Sequence, residues 1–226
     1  MKDLAQSWLP NASQIPDEFL TALLQTIYMV IWTTLIAGIL GILLGLILIV
    51  IGPKGFKSNP IVYGILDKVI NTVRSIPFII LLTLLGVLTR FLVGTTIGEK
   101  AALVPLIIGV IPFYARQIEN ALLEVDPGVI EAAESMGTSP IGILFRVYLV
   151  EGLPGIVRVS AVTVINIIGF TAMAGAVGAG GLGNLAVTRG YNRFQTDVTV
   201  VATLLILALV FFSQWVSNLI IKKISH

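Results

Sequence analysis

The chain has 226 residues, 56% of them hydrophobic and 12% charged, with 14 Lys and Arg against 12 Asp and Glu. With a mean hydropathy of +0.99, these values exclude an ordinary water-soluble domain and make a bilayer the main solvent. The net charge of +2 is too small to argue for nucleic acid, the absence of Cys removes disulfides and thiolate metal sites, and the sole His is His226.

A hydrocarbon core about 30 Å thick takes about 20 helical residues, and a span must satisfy its own backbone polar groups, so helices are the expected element. The first apolar run, Phe19 to Pro53, is long enough to cross with tilt, and Gly52-Pro53 ends it. Asp17 and Glu18 stand where the basic region of a secretory signal would be, so this run is expected to be a span. In the second, Asp67, Lys68, Asn71 and Arg74 precede an uncharged run from Ser75 to Thr89. It reads as one helix from about Pro60 to Val93 with its first turns at the membrane surface. A third span covers Glu99 to Leu123, with kinks expected at Pro105 and Pro112, and Arg116 and Glu119 one turn apart near its end. The fourth, Gly152 to Val177, carries Arg158 in its second turn, and the fifth runs from Val198 to Ile221. Five spans put the termini on opposite sides.

Positive flanks are retained in the cytoplasm. If the first loop is inside, Lys54, Lys57, Lys68, Arg74, Arg116, Arg146, Arg158, Lys222 and Lys223 fall on that side, and Lys2, Arg90, Lys100, Arg189 and Arg193 fall outside. Nine against five favours an outside N-terminus and a cytoplasmic C-terminus. The segment from Glu124 to Glu151 is then cytoplasmic.

That segment carries its own punctuation. Asp126-Pro127 has the form of an N-cap and first helical residue, and Gly137 suits the left-handed residue that closes a helix, which predicts a short helix from about Pro127 to Met136. Ser139-Pro140 repeats the start signal for a second short helix toward Tyr148. Ala132 and Ala133 have so little bulk that another protein's surface could approach the backbone, and Glu131 offers a carboxylate to an Arg or Lys. The plainer alternative is an interfacial helix that only links two spans.

Glu131-Ala132-Ala133, Gly137, Val147 and Leu149 resemble the signature loop of permease subunits in ATP-binding-cassette importers. Val150 stands where that signature ends in Pro, and Leu153-Pro154 follows. Further stretches are similar to methionine-importer permeases: Thr72-Val73-Arg74-Ser75-Ile76-Pro77-Phe78, Ile111 to Arg116, Gly175 to Gly183, and Gly190-Tyr191-Asn192-Arg193-Phe194. The resemblance implies an all-α integral membrane protein of the type I importer permease fold, with one permease domain over residues 1–226. Five transmembrane helices would be joined, between the third and fourth, by a cytoplasmic coupling-helix loop at 124–151. It implies a second copy in a homodimer, two cytoplasmic ATPase subunits that bind ATP and Mg, and an extracytoplasmic substrate-binding protein, in a bacterial inner membrane. Methionine of either hand and its derivatives would be the substrates, another amino acid or small polar solute the alternative. Glu131, Ala132, Ala133 and Gly137 would couple to the ATPase, with no catalytic or metal-binding residue and no cofactor in this chain.

The run Gly175 to Gly183 is not a phosphate loop, since no Gly-Lys-Ser/Thr follows it. Gly178, Gly180, Gly181 and Gly183 are candidates for an outer gate or a contact for the binding protein; a plain turn of small packing residues is the other reading. Arg74, Arg116 and Arg158 sit where long side chains can snorkel to water, or where they could line an inward mouth. Glu151 and Arg158 share a helical face. Asn166 and Met173 are the polar and polarisable groups deepest in the fourth span, and a thioether there is usually filler. A secondary transporter would call for acidic or His groups at mid-membrane, and none occurs from Leu20 to Gly52, Val159 to Thr188 or Val198 to Ile221. An intramembrane hydrolase lacks a base for Ser160 or Ser213.

Overall fold

The structure is a computed structural model that describes residues 8–53 and 55–224; Lys2, Lys54 and His226, named above, lie outside them. Among the described residues the regular elements are all helical. In chain order they are α1 (Pro16–Ile51), α2 (Pro60–Ser75), α3 (Phe78–Leu84), α4 (Gly86–Val93), α5 (Glu99–Leu123), α6 (Pro127–Ser135), α7 (Pro140–Ile143), α8 (Leu149–Glu151), α9 (Leu153–Ala176), α10 (Gly181–Leu185) and α11 (Thr196–Ile224). A 3₁₀ turn precedes α1 at Ala12–Gln14, and π-helical turns occupy Leu144–Tyr148 and Ala186–Tyr191.

Among the described residues four helices, α1, α5, α9 and α11, are long and apolar enough to cross a membrane. The expected single helix from Pro60 to Val93 is instead three pieces. Pro77 has no backbone N–H and disfavours helical geometry in the residue before it. Accordingly Ile76 is extended (φ −79°, ψ 122°) and α3 starts afresh at Phe78. A second interruption falls at Leu85 (ψ 1°), just before Gly86, a poor helix former. By contrast α5 is continuous through Pro105 and Pro112.

The chain forms two compact units. The first comprises the residues up to Leu35, Pro77–Ile108 and Val164–Ser213. One of its buried clusters gathers Phe19, Ala22, Leu182, Leu185, Val198 and Ala202. Another gathers Met29, Phe78, Ala102, Leu106 and Ala174, with Phe78 stacked on Phe170 at 4.6 Å between ring centroids. The Asp197 carboxylate, in the first turn of α11, accepts from the Asn11 and Ala12 backbone N–H groups at 2.7 and 2.8 Å and from the Asn11 side chain at 2.9 Å. That satisfies donors which would otherwise be unpaired and ties the segment before α1 to α11.

The second unit comprises Ile36–Ile76, Gly109–Thr163 and the residues from Gln214 on. The eight described Lys and Arg assigned above to the cytoplasmic side, from Lys57 to Lys223, belong to it by position. In it Gly41 and Gly45 let α1 approach α5 closely: a Cβ on Gly45 would lie 2.6 Å from Ile118 Cγ2. Small residues four apart are a common device for helix contact in a bilayer. Gly45→Ala is therefore expected to destabilise the protein by about 1–3 kcal/mol through overpacking, read as a lower thermal midpoint in detergent.

Candidate functional site

The loop between α5 and α9 is built from local chemistry. The Asp126 side chain accepts from the Gly128 N–H at 2.8 Å, with Pro127 in the first turn of α6. At the other end Gly137 takes φ +75°, its N–H donates to Glu134 O at 2.9 Å, and Thr138 N–H donates to Ala133 O at 3.0 Å. This pair of bonds is a Schellman closure, which requires a left-handed residue at the position of Gly137. A Cβ there would meet no atom within 4 Å, so only backbone strain opposes a side chain. Gly137→Ala should destabilise the loop by about 1 kcal/mol and Gly137→Asn by less, measurable as faster amide exchange at Met136 to Thr138. Ser139 then caps α7 by accepting from Gly142 N–H at 3.2 Å.

The four residues singled out in the sequence divide into two sets. Glu131, Ala132 and Gly137 are exposed, whereas Ala133 is 6% exposed and packs inward in the same part of the chain as Ile143, Val147 and Tyr148, which are also buried. The small size of Ala133 therefore serves packing within the chain, whereas Ala132 is open to the outside. Beside the exposed set lie Met136, Ile141 and Phe145, at 79%, 70% and 57% exposure. No motif marks these three; their signal in the sequence is a run from Ser135 to Phe145 with large apolar residues and no charge. A small acidic face rimmed by exposed apolar side chains is what a protein partner would cover. Val150, where the signature has Pro, is exposed in α8, and Pro154 sits in the first turn of α9, where no N–H is required.

Arg116 does not simply snorkel. It bonds to Glu119 and Asp67, and to the Tyr63 hydroxyl at 3.4 Å, while Tyr63 donates to Glu119 Oε1 at 2.9 Å. The side chains of Arg116 and Glu119 are 13% and 3% exposed. Tyr63 and Asp67, both from α2, carried no sequence signal as partners of Arg116. A cavity of about 320 Å³ beside this network is walled by Tyr63, Glu119 and, from the loop, Tyr148. Burial pushes the Tyr148 hydroxyl up from its ordinary pKa, and the Glu134 carboxylate adds to the shift. No ion pair joins Glu151 to Arg158 among the described residues.

The glycine run makes a tight turn in the first unit. Gly178, Gly180 and Gly181 have φ of +95°, +80° and +79°. Gly181 N–H donates to Gln25 Oε1 at 2.8 Å, and Leu182 N–H to Thr26 Oγ1 at 2.9 Å. A Cβ on Gly183 would lie 2.3 Å from Ala172 O. Gly181 and Gly183 are buried and Gly178 and Gly180 half-buried, so only the latter two can be touched from outside in this conformation.

Residues 37–226 match the family described as the binding-protein-dependent transport system inner membrane component. The chain belongs to that family. This inner membrane component is 40% identical over 210 residues, 93% of each chain, to the probable D-methionine transport system permease protein of Vibrio cholerae. It is 46% identical over 163 residues, 72% of this chain and 73% of the relative, to the methionine import system permease protein of Bacillus subtilis. Among solved structures it is similar to a chain of the MetNI methionine ABC transporter in an inward-facing conformation: TM-score 0.91, 37% identity, 94% of this chain and 99% of that one. A 17% identical chain of an amino acid ABC transporter, at TM-score 0.73 over 95% of this chain and 98% of that one, shares the fold.

Proposed function

We propose that this inner membrane component is the permease subunit of an ATP-driven methionine importer, carrying D- and L-methionine and close derivatives into the cytoplasm. The carrying observation is the 40% identity to a D-methionine transport permease across 93% of both chains. A polar zwitterion needs a protein-lined path through hydrocarbon, and a single chain with few long helices favours a path between two copies. The fifth crossing would be made in pieces by α2, α3 and α4, with the N-terminus outside and the C-terminus in the cytoplasm. Nine of the Lys and Arg on one side support that orientation.

The chain is not itself the catalyst. ATP and Mg would be held by two separate cytoplasmic subunits. These would grip the exposed face of Glu131, Ala132 and Gly137, with Ala133 as the packed underside. Closure on ATP would move α6, and because α6 follows α5 and α8 leads into α9, the force reaches both long helices. ATP shifts the access equilibrium only if the ATPase binds the two conformations with different affinity. In the first unit, Gly178 and Gly180 would form the reachable part of an outer gate or a contact for a substrate-binding protein, backed by Gly181 and Gly183.

Uptake of a panel of labelled amino acids by cells with and without the chain tests the assignment. Loss of methionine uptake is expected; unchanged methionine uptake with loss of another amino acid would move the substrate assignment elsewhere.

A further inference from the structure

The first unit holds a cavity of about 280 Å³ that the transport reading does not use. Its floor is apolar, from Ala101, Ala102, Pro105 and Ala174, and its polar lining is Thr83, Thr89 and Thr96. No charged side chain among the described residues lines it. Thr89 is 3% exposed, and its Oγ1 has no hydrogen-bond partner among the described residues. Thr83 Oγ1 already donates to Ile80 O at 2.8 Å. A buried hydroxyl without a partner is costly, and Thr89 shares the lining with only two other side-chain hydroxyls, of which Thr83 is already committed.

Size and charge select the occupant. An apolar cavity of roughly 150 Å³ accommodates benzene, so this one has room for a chain of about a dozen heavy atoms. A zwitterion would bury charges without counter-ions, which the lining does not permit. An uncharged hydrocarbon with one hydrogen-bond acceptor fits.

Depth points to the source. Thr89 lies one turn below the end of α4 at Val93, and Pro105 lies in the second turn of α5, which begins at Glu99. At about 1.5 Å per residue both are within roughly 10 Å of the helix ends, the level at which headgroups give way to acyl chains. On the same α3–α4 segment Leu84, Val87 and Phe91 are 64%, 85% and 84% exposed, an apolar face suited to lipid. Gly86, which also lines the cavity, leaves a gap in that face: a Cβ there would meet nothing within 4 Å.

We propose that this cavity is a lipid site, taking the upper part of one acyl chain of a membrane phospholipid whose ester carbonyl accepts a hydrogen bond from Thr89 Oγ1. The chain enters past Gly86. Methionine does not occupy it, and no charged headgroup goes inside.

The test uses the full chain, with its partner ATPase, in nanodiscs of phosphatidylethanolamine and phosphatidylglycerol doped with a phospholipid bearing a diazirine on an upper acyl carbon. After irradiation, adducts are mapped by peptide mass spectrometry. Adducts on Ala101, Ala102 and Ala174 are expected, in excess over those on the outward Phe91. Thr89→Val, which keeps shape and removes the hydroxyl, should lower cavity labelling about fivefold, as for one hydrogen bond. Gly86→Leu should block it, and both variants should leave Phe91 labelling unchanged, which reports that the lipid-facing surface is kept. Cavity labelling no greater than at Phe91, or insensitive to both substitutions, would overturn the proposal. So would loss of cavity labelling on adding saturating methionine, which would place the cavity on the substrate path; retention supports the lipid site even if the transported solute proves not to be methionine.

Discussion

Glu131→Lys is expected to abolish uptake while the amount of chain in the membrane stays at the wild-type level. Glu131 is exposed and makes no ion pair among the described residues, so α6 does not depend on its charge. The cap at Asp126 and the closure at Gly137 hold the helix instead. The proposed role of the carboxylate is therefore outward, toward a partner surface. Losing a charge-assisted hydrogen bond weakens an interface by about 1.5–3 kcal/mol, or roughly 10- to 100-fold in affinity, and the introduced ammonium adds repulsion against a basic partner surface. Two such loops in a dimer double the loss. Co-purification of the ATPase and uptake of labelled methionine should fall together. The absence of Cys gives a clean background for a second check: Ala132→Cys should cross-link to the ATPase, and Ala133→Cys, facing inward, should not. Wild-type uptake by Glu131→Lys would remove the docking role.

Arg116→Ala should produce the largest stability loss of the substitutions considered. It removes the cation that serves Glu119 and Asp67, leaving a carboxylate at 3% exposure with only Tyr63 as partner. Breaking a buried ion pair from one side costs about 3–5 kcal/mol, because the remaining charge is left uncompensated. The partial exposure of Asp67, at 35%, softens its share. Replacing both Arg116 with Met and Glu119 with Leu should recover much of the loss, since apolar substitutes of similar volume often match a buried pair. Thermal melts in detergent of the single and double variants measure both effects; equal midpoints for wild type and Arg116→Ala would mean the network is not structural.

The local parts of this architecture are written in the sequence, and the long-range parts are not. The Asp126-Pro127 start, the Gly137 closure and the Ser139-Pro140 restart are each fixed by a side chain acting within a few residues, and each occurs where the chemistry demands. The long uncharged runs yield α1, α5, α9 and α11 because a bilayer leaves the backbone no other choice. The break at Ile76-Pro77 had its signal in the proline, but the apolar run through it hid the restart. The partnership of Asp67 with Arg116 brings α2 to α5 and depends on tertiary approach, which no spacing reveals. The inward turn of Ala133 is likewise decided by α7 and the π-helical turn that packs against α6, not by α6 itself.

Whether ATP drives methionine through this chain is decided by accumulation of labelled methionine in vesicles containing it with its ATPase and its binding protein. Accumulation is predicted with ATP and the wild-type loop, and none with Glu131→Lys or without ATP. Accumulation driven equally well by a proton or sodium gradient in the absence of ATP would contradict it.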